Sequence, residues 1–133
     1  MKIHHICIQT DNYDNSLKFY KNILGFTIFK ETKNFHQRAY NTWLELDSLM
    51  IELQTKKENQ KLIDFSKNSK GINHICFLVD DVEEEYIRIK KLGYNKFKRK
   101  NNSDIYIVEN EKLLKMIAPE GTIIEIRDTQ MIK

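Results

Sequence analysis

Imidazole nitrogens and carboxylate oxygens together hold divalent ions such as Zn, Ni, Co, Mn and Fe. This sequence sets one of each into two matching places. His5 lies in Ile-His-His-Ile-Cys-Ile at residues 3–8, and His74 in Ile-Asn-His-Ile-Cys-Phe at residues 72–77. A cysteine follows each histidine at i+2, so on a strand His5 shares a face with Cys7, and His74 with Cys76. Glu52 and Glu125 sit centrally in the apolar runs Met-Ile-Glu-Leu-Gln and Ile-Ile-Glu-Ile-Arg at 50–54 and 123–127. Taken singly, a glutamate between apolar neighbours marks the wet face of a strand, and a lone strand histidine is usually structural. Neither reading explains why both residue types recur together. Two histidines and two glutamates converging would make a mixed imidazole/carboxylate metal site. His4 falls on the opposite face from His5 and has no counterpart, since Asn73 occupies that place; it and His36, in a loop, read as bystanders. Cys7 and Cys76 point with the candidate ligands and read as small core fillers beneath the site, with thiolate ligation the alternative.

These residues need strands to carry them, and the pattern supplies them twice. Residues 2–10 read as a strand, with Asn12 or Asp14 able to cap the helix that follows. Leu17, Tyr20 and Leu24 recur there at helical spacing, flanked by Phe19 and Ile23, and Gly25 stands where a left-handed cap belongs. Residues 26–31, 38–46 and 49–55 then read as strands, with 34–36 a loop. Residues 56–70 are polar and charged, a linker containing a short helix anchored by Leu62, Ile63 and Phe65. The pattern restarts at Gly71: a strand over 71–79, a helix capped by Asp80 or Asp81 and carrying Val82, Tyr86, Ile89 and Leu92, and a stop at Gly93. Strands follow at 94–98 and 105–109, then a hairpin of 113–118 and 122–127 across Pro119, Glu120 and Gly121. The expectation is an α+β fold of two βαβββ modules, 1–55 and 71–128, joined by the 56–70 linker into a single domain over residues 1–133.

Length and composition restrict the function classes. A chain of 133 residues with 41% hydrophobic residues suits one domain or two small modules sharing a core. The net charge of +3 is mild, and lysines alternate with glutamates along most of the chain, which argues against a nucleic-acid surface. No apolar run is long enough to cross a bilayer and no signal-peptide layout precedes the first strand, so a cytoplasmic protein is expected. Two cysteines in equivalent strands make no disulfide framework, and reduced, buried thiols are the expectation.

The His-Ile-x-Ile/Phe openings, the Leu-Gly-Phe/Tyr helix ends and the Pro-Glu-Gly-Thr-Ile-Ile-Glu-Ile close at 119–126 resemble the vicinal oxygen chelate superfamily. That group includes glyoxalase I, methylmalonyl-CoA epimerase, extradiol dioxygenases and the fosfomycin and bleomycin resistance proteins. The resemblance implies paired βαβββ modules whose curved sheets form a cup around one divalent ion per site (Ni, Zn or Co). Carried over, the ligands are His5, Glu52, His74 and Glu125, a complete His/Glu/His/Glu set that looks most like glyoxalase I. By that resemblance Glu125 takes and returns a proton with Glu52 as its partner, isomerising the hemithioacetal of a 2-oxoaldehyde to a thioester. A homodimer and a small thiol-derived substrate are implied. Gln9 stands where many glutathione-dependent relatives carry an arginine, so either Arg127 or Arg38 substitutes at a glutathione carboxylate or the thiol is a different one; Gln9, Arg38 and Arg127 are the candidate substrate contacts. Residues 64–75 also resemble the approach to the second histidine in the epimerases, with the basic run 96–100 a candidate contact for CoA phosphates. A binding module using the same cup is the non-enzymatic alternative.

Overall fold

Parallel pairing of a first strand with a last one organises each half of the chain. The computed structural model describes residues 1–129. They form two units that divide between Asp64 and Phe65, a boundary inside the polar 56–70 segment.

In the first unit β1 (Ile6–Thr10), α1 (Tyr13–Lys18), β2 (Thr27–Phe35), β3 (Arg38–Leu46) and β4 (Leu49–Thr55) build a sheet of order β1-β4-β3-β2. Helix α1 continues as a π-helical turn over Phe19–Ile23, and the chain leaves it through Gly25 at φ +87°. The face of the sheet bearing Ile8, Leu44, Ile51 and Leu53 is buried, and Phe19, Tyr20, Ile23 and Phe26 complete its core. Two polar ties fix the helix on that face: Thr10 Oγ1 to Ser16 Oγ at 2.8 Å, and Tyr13 Oη to Thr42 Oγ1 at 2.5 Å. Strand alternation therefore turns Cys7, Gln9, Asn41, Trp43, Glu52 and Gln54 to the face away from α1.

The second unit repeats the plan with β5 (Ile75–Leu78), α2 (Val82–Lys91), β6 (Ile105–Val108), β7 (Glu111–Ile117) and β8 (Ile123–Arg127), in the order β5-β8-β7-β6. Its core joins Val82 and Ile89 of α2 to Leu114, Met116, Ile124 and Ile126. Helix α2 starts where Asp81 accepts a hydrogen bond from Glu84 N at 2.9 Å, and its acidic first turn and basic last turn suit the helix dipole. Gly121, at φ +98°, closes the β7–β8 turn, with Ala118 N donating to Thr122 O at 2.8 Å. Among the described residues no helix is long and apolar enough to cross a membrane.

The structure departs from the sequence expectations at several places. No helix forms over 56–70; local bonds such as Gln60 N to Lys57 O (3.0 Å) and Ser69 N to Ser66 O (2.9 Å) close isolated turns instead. Residues 94–98 make no strand. They touch β7 through an isolated bridge, Phe97 to Met116, and through Lys98 N to Lys115 O at 2.8 Å. β2 runs on through residues 34 and 35, leaving His36 and Gln37, both at positive φ, as the turn. The first strands are shorter than their apolar runs, starting at Ile6 and Ile75 because the ladders begin at Ile6–Ile51 and Ile75–Ile124.

Because the Asp81 carboxylate satisfies an otherwise orphaned helix N–H, Asp81→Ala should lower stability by about 1 kcal/mol in urea unfolding, and Asp81→Asn by less.

Candidate metal-binding half-sites

Register places the repeated residues at equivalent positions. Cys7 pairs with Glu52 across β1 and β4, and Cys76 pairs with Glu125 across β5 and β8. The histidines stand just before their strands and reach the same glutamates. His5 Nε2 lies 3.7 Å from Glu52 Oε1, and His74 Nε2 lies 3.9 Å from Glu125 Oε2. Two donors each about 2.1 Å from one ion can be no more than about 4.2 Å apart. In each pair, taken by itself, the two donors are close enough to meet on a divalent ion, and their chemistry suits one. Among the described residues no group of three or more His, Cys, Asp or Glu side chains is drawn together. Each unit thus presents half of the expected ligand set.

The surroundings of the two pairs differ. In the first unit Trp43 stands opposite Glu52 in the ladder and packs its ring edge-on to His5, with centroids 4.8 Å apart. Asn41, only 1% exposed, donates from Nδ2 to Glu52 Oε2 at 3.3 Å and accepts from Gln54 Nε2 at 2.8 Å. The amide chain occupies one carboxylate oxygen and leaves Oε1 toward His5. In the second unit the equivalent neighbours are cations. Lys115, opposite Glu125, brings Nζ to 3.9 Å from Oε1, and Arg127 brings Nε to 3.4 Å from Oε2. Glu125 is 6% exposed, and a carboxylate so buried is costly unless its charge is compensated. Arg127 Nε is itself buried without a hydrogen-bond partner among the described residues.

Of the other expected contacts, Gln9 and Arg38 come together: Arg38 donates from one guanidinium nitrogen to Gln9 Oε1 at 3.2 Å and to Thr55 O at 2.6 Å. Arg127 lies beside Glu125. The cysteines correct an expectation, for both are exposed residues on the glutamate faces rather than core fillers. Each thiol is nonetheless held protonated. Partial desolvation, reinforced by the adjacent Glu52, pushes Cys7 up to about 11, and desolvation with Glu125 pushes Cys76 up to about 12. His36 packs on Phe35 in the β2–β3 turn. Trp43, Asn41, Gln54 and Lys115 were missed by reading the sequence, because only the β3–β4 and β7–β8 registers put them beside a glutamate; the alternation of each strand named the face but not the partner.

A family model described as Glyoxalase/Bleomycin resistance protein/Dioxygenase superfamily matches residues 2–106. The mitochondrial methylmalonyl-CoA epimerase of Dictyostelium discoideum is 31% identical over 84 residues, 61% of this chain and 51% of the epimerase. The match thus spans about half the length of that curated relative. Among solved structures, the trypanothione-dependent glyoxalase I of Leishmania major is similar at TM-score 0.69 and 18% identity, over 96% of this chain and 86% of that one. The fosfomycin resistance protein FosX of Listeria monocytogenes, solved with Mn(II) and sulfate, is similar at TM-score 0.71 and 17% identity, over 98% and 93%. At these identities the structural likenesses establish the fold.

Because a raised pKa means less thiolate, both cysteines should alkylate slowly at pH 8 despite their exposure. Glu52→Gln should accelerate labelling at Cys7 alone, and Glu125→Gln at Cys76 alone, as followed by peptide mass spectrometry with iodoacetamide. Rates equal to those of a free cysteine would contradict the electrostatic assignment.

Proposed function

The chain belongs to the Glyoxalase/Bleomycin resistance protein/Dioxygenase superfamily, and from that premise we propose that it is a metal-dependent enzyme of glyoxalase I type. Its reaction is the isomerisation of a 2-oxoaldehyde–thiol hemithioacetal to a thioester. The observation that carries this reading is the His–Glu pair built twice at one register, at 3.7 and 3.9 Å. His5, Glu52, His74 and Glu125 are the ligands, whether one chain supplies both pairs or two chains share them. A divalent ion held there supplies Lewis-acid polarisation of a carbonyl, which acidifies the neighbouring carbon.

The protein's own groups then divide the work. Glu125 takes the proton from the thiol-bearing carbon and returns one to its neighbour, while the hydroxyl proton passes from the first carbon's oxygen to the second's, with no net oxidation or reduction. The two carboxylates are surrounded differently: Glu125 lies 3.4 and 3.9 Å from the cations of Arg127 and Lys115, whereas Glu52 accepts a hydrogen bond from Asn41. Glu52, tied by the amide chain, stays at its post and keeps a carboxylate on the opposite side. Arg38, anchored on Gln9 and Thr55 O, meets an anionic group on the thiol.

The 31% identity to the Dictyostelium epimerase favours a second reading, epimerisation of a CoA thioester. There the same two glutamates would exchange the proton next to the thioester carbonyl, and the basic residues around Arg99 would face the phosphates of CoA.

Turnover of methylglyoxal with a panel of thiols tests the first reading. Glu125→Gln should lower kcat by about 100-fold or more while circular dichroism and Tm stay near those of the parent. Undiminished turnover in that variant would reject Glu125 as the base. Deuterium exchange into methylmalonyl-CoA without thioester formation from methylglyoxal would transfer the assignment to the epimerase reading.

A further inference from the structure

The residue before each candidate ligand histidine is hydrogen-bonded to it. Asn73 Oδ1 lies 2.9 Å from His74 Nδ1, and His4 Nδ1 lies 2.9 Å from His5 Nδ1. Neighbours within a regular strand point to opposite faces and cannot meet in this way. Residues 4, 5, 73 and 74 escape that rule because they precede β1 and β5, which begin at Ile6 and Ile75. His4 is therefore no bystander, and Asn73 is its counterpart.

The chemistry of the contact fixes a proton. An amide oxygen only accepts, so His74 must donate from Nδ1. A neutral imidazole has one N–H, so Nε2, the atom facing Glu125 at 3.9 Å, is left with its lone pair outward. In the first unit the two Nδ1 atoms share one proton that either ring can donate, so this contact orients His5 without choosing its tautomer. Left to solvent, a histidine is free to carry its proton on Nε2, where it blocks coordination.

We infer that Asn73 is a positioning residue that sets the Nδ1–H tautomer of His74 and so holds Nε2 ready to bind a metal ion. The tautomer stands on the hydrogen bond alone; its consequence for metal affinity rests on the proposed metal reading.

Long-range 1H–15N spectra of metal-free protein labelled at histidine, recorded at pH 8.5, read the tautomer directly. His74 should show Nδ1–H in the parent and in Asn73→Asp, which keeps an acceptor, and should lose it in Asn73→Ala. Quenching of the chain's single tryptophan, Trp43, by Co(II) or Ni(II) gives the affinity. Asn73→Ala should weaken binding by about 10- to 100-fold, whereas Asn73→Asp should stay within about threefold of the parent, the rescue expected of a positioning contact. Nε2–H at His74 in the parent, or equal affinity in the parent and Asn73→Ala, would overturn the inference. Nδ1–H in a parent that binds neither ion would uphold the tautomer assignment and overturn the metal reading alone.

Discussion

The parallel ladder between the first and last strands of each unit is the constraint on which the rest depends. Parallel strands cannot be joined by a tight turn, so a helix and two strands must intervene between β1 and β4 and between β5 and β8. The helix covers one face of the sheet with apolar side chains, and alternation leaves the other face to polar ones. Register does the remainder. With Cys7 opposite Glu52 and Cys76 opposite Glu125, the residue two positions earlier lies within reach of the same carboxylate. A slip of one residue would turn Glu52 and Glu125 into the cores built on Ile51, Leu53, Ile124 and Ile126, where an unpaired carboxylate costs several kcal/mol. Burial of the apolar faces therefore enforces the spacing of the polar ones.

On this duplicated frame the neighbours have diverged. Trp43 and Lys115 occupy corresponding ladder positions opposite the glutamates, and Gln54 corresponds to Arg127. One carboxylate sits among an aromatic ring and amides, the other between two cations. Enzymes that ask different tasks of two carboxylates set them apart through such environments. Two carboxylates so differently surrounded suit a reaction in which one stays at its post while the other carries the proton. The same carboxylates bear on the cysteines, whose thiols are kept protonated first by desolvation and further by the glutamate beside each.

The sequence disclosed what is local or repeated. Helix α2 followed from Asp81, the spacing of Val82 and Ile89, and Gly93; the β7–β8 hairpin followed from Pro119 and Gly121; the His–Glu pairs followed from being written twice. Features that depend on partners were hidden. Lys98 and Phe97 have strand-like character, yet they contribute only a bridge to β7. The apolar residues at 62, 63 and 65 suggested a helix, but side chains such as Gln60, Ser66 and Ser69 bond locally and close turns. The contact of His4 with His5 was hidden because strand alternation was extended two residues beyond the start of the ladder. Asn and His share the capacity to bond an adjacent imidazole, and that likeness between residues 73 and 4 was the available signal.

The central claim is that the two His–Glu pairs serve one kind of metal ion together. Elemental analysis of protein reconstituted with Ni, Zn or Co and freed of excess metal tests it most directly, with His5→Ala and His74→Ala measured alongside. The account predicts about one ion for each set of two pairs, and loss of that ion in both variants. Retention of full metal content in either variant, or no bound metal in the parent, would contradict it.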